Sequence, residues 1–255
     1  MLAVLLSVVL AGCASGPLAE DKPSDATKPP TLGACRTLSP GDVEKSVDDS
    51  EEVSCARKHT AETFLVSSLP AATGTKYAAR AHGAHVHRTC SVAFQKFIGA
   101  DESLAMRTRL SWAWFRASEK GWAKGARWFR CDVVGGQAQD KAFRPLPKTA
   151  KGLLSKEEVS AWMTCAKGPV LAQAPRVFCD KPHDWRAVTA IKIGRPDDPY
   201  PGDRVSEVRA RDGCSDWVGA WMNYPVDYDY AYSTFHEAEW KAGNRRAVCW
   251  ARTDQ

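Results

Sequence analysis

Eight of the nine cysteines fall into two sets of four: Cys35, Cys55, Cys90 and Cys131, then Cys165, Cys179, Cys214 and Cys249. In both sets the second and third members are 35 residues apart, and a histidine stands four residues after the second, His59 and His183. Each fourth Cys follows a Trp by nine residues and a Gly by six: Trp122 and Gly125, Trp240 and Gly243. Three chemistries use such residues. An even number of thiols closes disulfides where the compartment is oxidising. Cys-x-x-x-His could ligate zinc, and a fixed His could act as a base. Oxidised Cys does not ligate metal, and a His repeated in both sets suits scaffolding, its ring bonded to backbone at a turn. The expectation is therefore four disulfides, no metal site and no cofactor.

The matched spacings read as an internal duplication. Each half would close its own two bonds. Four Cys allow three connectivities per half; first-to-second and third-to-fourth is favoured, joining neighbouring strands and stapling a helix to the last strand. The seam falls at Gly135-Gly136-Gln137-Ala138-Gln139-Asp140 and Pro145-Leu146-Pro147, a linker composition. The units are then 33–148 and 149–255.

The ninth cysteine, Cys13, gives the address. Residues 2–10 are apolar and are followed by Leu10-Ala11-Gly12-Cys13. The stretch is too short to span a bilayer and reads as a signal-peptide core over residues 1–12. The tetrad resembles the bacterial lipobox, in which the Cys thiol is acylated and the chain is cut just before it. No Lys or Arg precedes the core, which points to a translation start upstream of Met1. Residues 13–32 carry Pro17, Pro23, Pro29 and Pro30 and few bulky apolar side chains, and read as an extended tether. The expected partner is the lipid bilayer, through acylated Cys13, on the extracytoplasmic face of the cell membrane.

The elements that must position these residues follow from periodicity. Ala61, Thr63 and Leu65, and Trp185, Ala187, Thr189, Ile191 and Ile193, alternate as strands. Cys90, Ala93, Phe94, Phe97 and Ile98, and Cys214, Trp217, Val218 and Trp221, recur as one helix face. Tyr200-Pro201-Gly202-Asp203 caps the second helix. Each half ends with a Trp, a Gly turn and a strand carrying the last Cys. The fold class expected is α+β: two tandem, duplicated small domains, each an antiparallel sheet with a packed helix and two disulfides.

The chain has 255 residues, 44% hydrophobic and 25% charged, which excludes a disordered or polytopic membrane protein. Its net charge of +5 belongs to the first half, with 18 basic against 12 acidic residues in 33–148 and 15 against 15 in 149–255. Trp112, Trp114, Trp122 and Trp128 interleave with Arg107, Arg109, Arg116, Arg127 and Arg130. An exported address argues against nucleic acid and for an anionic envelope surface, with strand packing as the plainer use of those rings.

Two further groups stand out. His82-x-x-His85-x-His87 is read as a solvated helix face. The run Tyr224-Pro225-Val226-Asp227-Tyr228-Asp229-Tyr230-Ala231-Tyr232 gives the best candidate ligand contacts, Tyr224, Tyr228, Tyr230 and Tyr232. No Gly-x-Ser-x-Gly, His-Glu-x-x-His or Walker loop occurs.

The pattern of Cys, Cys-x-x-x-His, Tyr-Pro-Gly, Cys and Trp-x-x-Gly before the last Cys resembles the septum formation domain of actinobacterial exported and membrane-anchored proteins, one copy per half. The resemblance implies a cell-division role. The function expected is a lipid-anchored, non-enzymatic binding or scaffold protein of the envelope, with envelope proteins or cell-wall polymer as further partners. The alternative is an envelope hydrolase or metal-dependent enzyme using His59 or His183.

Overall fold

The computed structural model describes residues 22–155 and 159–253; Cys13 and its apolar stretch lie outside the described residues. The chain forms two antiparallel sheets of mixed α/β character, stapled by four disulfides. The first half runs β1 (Cys35–Arg36), α1 (Pro40–Val43), β2 (Ala61–Ser68), α2 (Arg80–Ile98), α3 (Glu102–Met106), β3 (Ser111–Arg116), α4 (Glu119–Ala123) and β4 (Trp128–Val134). Its sheet order is β1-β2-β4-β3. The second runs β5 (Thr164–Ala166), β6 (Arg176–Phe178), β7 (Trp185–Lys192), α5 (Asp203–Trp221), β8 (Tyr230–Ser233), α6 (Glu237–Lys241) and β9 (Arg246–Arg252). Its order is β6-β5-β7-β9-β8, so β6 adds an edge strand that the sequence did not announce.

The helices form as their periodicity requires. α2 buries Val86, Cys90, Phe94 and Ile98 at four-residue steps, and α5 buries Ser206, Ala210, Cys214 and Val218 in the same way. Gly99, at φ +74°, ends α2 in the left-handed conformation. Phe129 and Val133 of β4 are fully buried under α2. Each such side chain contributes about 1.5–3 kcal/mol by leaving water.

The two sheets share a register. Cys131 lies between Leu65 and Trp114, and Cys249 between Thr189 and Tyr232. A bulge interrupts β2 between Thr63 and Leu65 and β7 between Ala187 and Thr189. Cys90–Cys131 and Cys214–Cys249 tie each long helix to an inner strand. Cys35–Cys55 and Cys165–Cys179 close the loop beside β1 and β5.

Two stretches depart from the expected organisation. Residues 23–26, read as part of a tether, are docked. Ser24 and Asp25 are buried, the Ser118 hydroxyl donates to Asp25, and Trp128 Nε1–H donates to the Ala26 carbonyl at 2.9 Å. Hydrogen bonds rather than apolar side chains hold this segment, so its hydropathy carried no sign of it. The expected linker is also packed. Gly135 and Gly136 are buried, and the Arg144 N–H bonds the Gly135 carbonyl at 2.8 Å. Leu146, Ala150, Leu153, Leu154 and Trp162 then complete the core beneath α2. The first core thus runs past residue 148. The halves also touch directly: Arg246 pairs with Glu102 at 2.6 Å, and the Ala190 N–H donates to Ser103 Oγ at 3.0 Å.

Candidate functional site

The two signature histidines are enclosed. His59 and His183 are 1% and 2% exposed. In each, Nδ1 bonds the carbonyl two residues back, Arg57 at 2.8 Å and Lys181 at 2.7 Å, and Nε2 has no hydrogen-bond partner. A ring held this way fixes the turn entering β2 or β7. The Trp and Gly signatures form a second recurring device. Arg127 lies 3.8 Å over the Trp122 ring and donates to its carbonyl at 2.9 Å; Arg245 lies 3.9 Å over Trp240 and donates to its carbonyl. Gly125 and Gly243, at φ +102° and +108°, supply the left-handed turn residue that lets the strand follow.

The aromatic run divides. Tyr228, Tyr230 and Tyr232 are half-buried and pack against Val188, Cys214, Val218 and Cys249, with the Tyr228 hydroxyl donating to the Ser215 carbonyl at 3.0 Å. They cover the sheet. Tyr224 is exposed, at φ +50°, a strained conformation for a bulky residue. The histidine cluster also divides, and its expected solvated face is wrong for His82. That ring is buried, with Nε2 on the Gly74 carbonyl at 3.1 Å and its centroid 5.5 Å from that of Trp122. His85 meets the edge of Phe129, and His87 is exposed beside Trp112. Among the described residues no three His, Cys, Asp or Glu gather as a metal site, and no helix is long and apolar enough to cross a membrane.

Three arginines of the first half are internal, matched by three buried acids, Asp48, Glu62 and Asp132. Arg36, Arg109 and Arg130 are buried, and Arg116, Arg127 and Arg130 stack on Tyr77, Trp122 and Phe115. This weakens the case for an anionic-surface patch built from them. Arg130 donates to Asp132 at 2.9 Å and to Asp48. Arg36 donates to Thr63 Oγ1 at 2.9 Å and Glu52 at 2.7 Å, and Thr63 donates to Asp132 at 2.7 Å. Burial pushes the Arg36 guanidinium below its usual value, and the nearby Arg130 charge adds to the fall. The sequence reading missed this network. Its signal was the polar pair Arg130 and Asp132 on either side of a buried Cys in an otherwise apolar strand.

A cavity of about 530 Å³ lies along β3. It is lined by residues 43–46, by Gly83 and His87 of α2, by Trp112 and Trp114, and by residues 137–139. The Asp42 carboxylate, held down to about 2 by Lys45 and Ser39, fixes the turn that leads into residues 43–46.

The class these features define is a disulfide-stapled α/β body whose repeated signature residues serve turns and packing. The chain matches the model of the septum formation family over residues 32–249 and belongs to that family. The match runs as one stretch across both sheets, where one copy per half was expected. Membership suggests a role in cell division. No curated protein and no solved structure matches the chain.

Proposed function

We propose that this protein is a lipid-anchored binding or scaffold protein of the cell envelope that serves septum formation without chemistry of its own. The observation that carries the reading is the family match over both sheets. The Leu-Ala-Gly-Cys tetrad at Cys13 supports acylation and an extracytoplasmic address. The enclosure of His59 and His183 behind their disulfide-closed loops supports a structural use of these rings over a hydrolytic one. The shared register, bulge position, disulfide pairing and Trp–Arg turn support descent of the two halves from one duplicated unit. Envelope proteins or wall polymer are the partners this reading calls for.

The test is a fluorescent fusion to the full chain in dividing cells of the source organism, beside its Cys13→Ala variant. The expected result is fluorescence in the membrane fraction, gathered at division sites, with Cys13→Ala released from the membrane. A fusion spread through the cytosol, or depletion that leaves septa unaltered, would overturn the proposal.

A further inference from the structure

We infer that the open edge of the first sheet is a docking groove for an extended peptide segment of a partner protein, which adds as a strand beside β3. The inference deepens the scaffold reading and rests on it only in taking binding as the protein's task.

The first argument is a backbone account. In an antiparallel strand the N–H and C=O of one residue point to the same side, and successive residues alternate. The Arg116 N–H leaves the sheet to bond the Ser46 carbonyl at 3.0 Å, whereas the Ala117 N–H turns back to the Trp128 carbonyl. Ser111, Ala113 and Phe115 therefore face β4, and Trp112 and Trp114 direct their N–H and C=O outward. Among the described residues no backbone group meets those four. Exposed rows of this kind are templates for another strand.

The second argument is the shape of the space they face. The cavity of about 530 Å³ has residues 43–46 as one wall and α2 as the other. Residues 137–139 stand at one end, and the Arg116–Ser46 bond closes the other. A second copy of this chain would bring its own neighbouring strand and helix to a recessed edge. A single extended segment enters, spanning about 13 Å for four residues. Val43, Trp112 and Trp114 offer it apolar contacts, so apolar side chains at alternate positions fit.

The third argument is Gly83. Glycine is unfavourable inside a helix, yet Gly83 sits in the second turn of α2, on the wall of the cavity. A Cβ built there meets nothing within 4 Å, so packing does not demand the glycine. Its effect is to leave the cavity wall beside β3 without a side chain at that position. Counted from the helix cysteine, α5 has Glu207 where α2 has Gly83, and Arg211 where α2 has His87. The helix beside the second sheet thus carries long charged side chains at the two positions where α2 has Gly83 and His87.

The experiment selects a displayed library of random eight-residue peptides on the oxidised full chain in detergent. The best binder is then synthesised with and without N-methyl groups at alternate backbone nitrogens. The expected result is slowed amide exchange at Trp112 and Trp114 on binding. N-methylation should weaken binding at least tenfold, and so should Gly83→Phe, while Gly83→Ala has a smaller effect. Unfolding curves of the variants establish that both fold, and the N-methyl arm leaves the protein untouched. No enrichment over the Gly83→Phe protein would overturn the inference, as would protection at another surface. Protection of Trp112 and Trp114 without peptide, rising with protein concentration alongside a dimer in sedimentation, would assign the edge to a second copy instead. Septal location of the fusion is unaffected by any of these outcomes, so the scaffold proposal stands or falls separately.

Discussion

Asp132 and Trp250 occupy the same register position in their two sheets. Asp132 faces Thr63 across β2 and β4, and Trp250 faces Ala187 across β7 and β9, one residue after the disulfide cysteine in each case. Around Asp132 the neighbouring positions are Arg36, Thr63 and Arg130; around Trp250 they are Ala166, Ala187 and Val248. One backbone arrangement is thus filled by an ion network in the first sheet and by an apolar cluster in the second. The second sheet thus forms the same arrangement without such a network. Buried pairs seldom add net stability, whereas breaking one leaves an uncompensated charge.

That asymmetry sets the first expectation. Asp132→Ala should cost about 3–5 kcal/mol, because Arg130 and Arg36 stay buried with a partner removed. Replacing the set together, with Arg36→Ala, Thr63→Ala, Arg130→Val, Asp132→Leu and Asp48→Asn, should cost less than the single change. Denaturant unfolding of the oxidised proteins makes the comparison. A concerted variant as unstable as Asp132→Ala would mean that the network holds the sheet together.

The disulfides should differ in weight. Cys90–Cys131 and Cys214–Cys249 close loops of 41 and 35 residues, against 14 for Cys165–Cys179. Loop entropy assigns about 4 kcal/mol to each long loop and about 3 kcal/mol to the short one. Paired Cys→Ala variants, compared by unfolding midpoint, should follow that order. A larger loss from the Cys165/Cys179 pair would show that local packing, rather than loop length, governs their contribution.

How much of this was legible in the sequence depended on the kind of force involved. The long helices, the strands leading from His59 and His183 and the Trp–Gly turns all announce themselves, because burial and positive φ leave periodic or residue-specific marks. Residues 23–26 and 135–155 did not, since backbone hydrogen bonds place them and Pro- and Gly-rich composition is the same for a docked strap and a loose one. The halves read as separate because spacing shows repetition but not contact; Glu102 and Arg246 are 144 positions apart. The groove was invisible for a related reason. Which side of β3 a carbonyl faces follows from one bond, Arg116 to Ser46, that no local pattern encodes. Gly83 was its one mark in the sequence, inside an otherwise helical run.

The signature histidines should behave as structural residues. His59→Ala and His183→Ala each remove a buried ring and its bond to a carbonyl, at a cost of about 1–3 kcal/mol. Thermal unfolding of the oxidised chain should report similar losses for the two. Hydrolysis assays on wall fragments should return the same values for both variants as for the parent. A folded His183→Ala protein that loses a measurable hydrolytic activity would restore the enzyme reading.

A last expectation concerns pH at the junction of the halves. Arg144 donates to both oxygens of Asp180, at 2.8 and 2.9 Å, while its guanidinium lies 3.7 Å over the Phe178 ring. The hydrogen bond from Arg144 holds the Asp180 carboxyl below the usual carboxylate range, against a smaller opposing effect of burial. A depressed folded-state value means the stabilisation is complete above the unfolded value, near 3.9. It is lost as pH falls through the folded one. The side chain of Asp180 is 38% exposed, so solvent screens the pair. The gain at neutral pH should stay below about 1 kcal/mol. Asp180→Asn should therefore melt about 2–4 °C or less below the parent at pH 7. The other depressed carboxylates, Asp42, Asp184 and Asp203, are common to both proteins and cancel in the difference. The two melting curves should converge as pH falls through the depressed folded value of Asp180, and the neutral gap should narrow in high salt. A gap that persists unchanged at low pH would mean that Asp180→Asn acts through packing against Arg144 rather than through its charge.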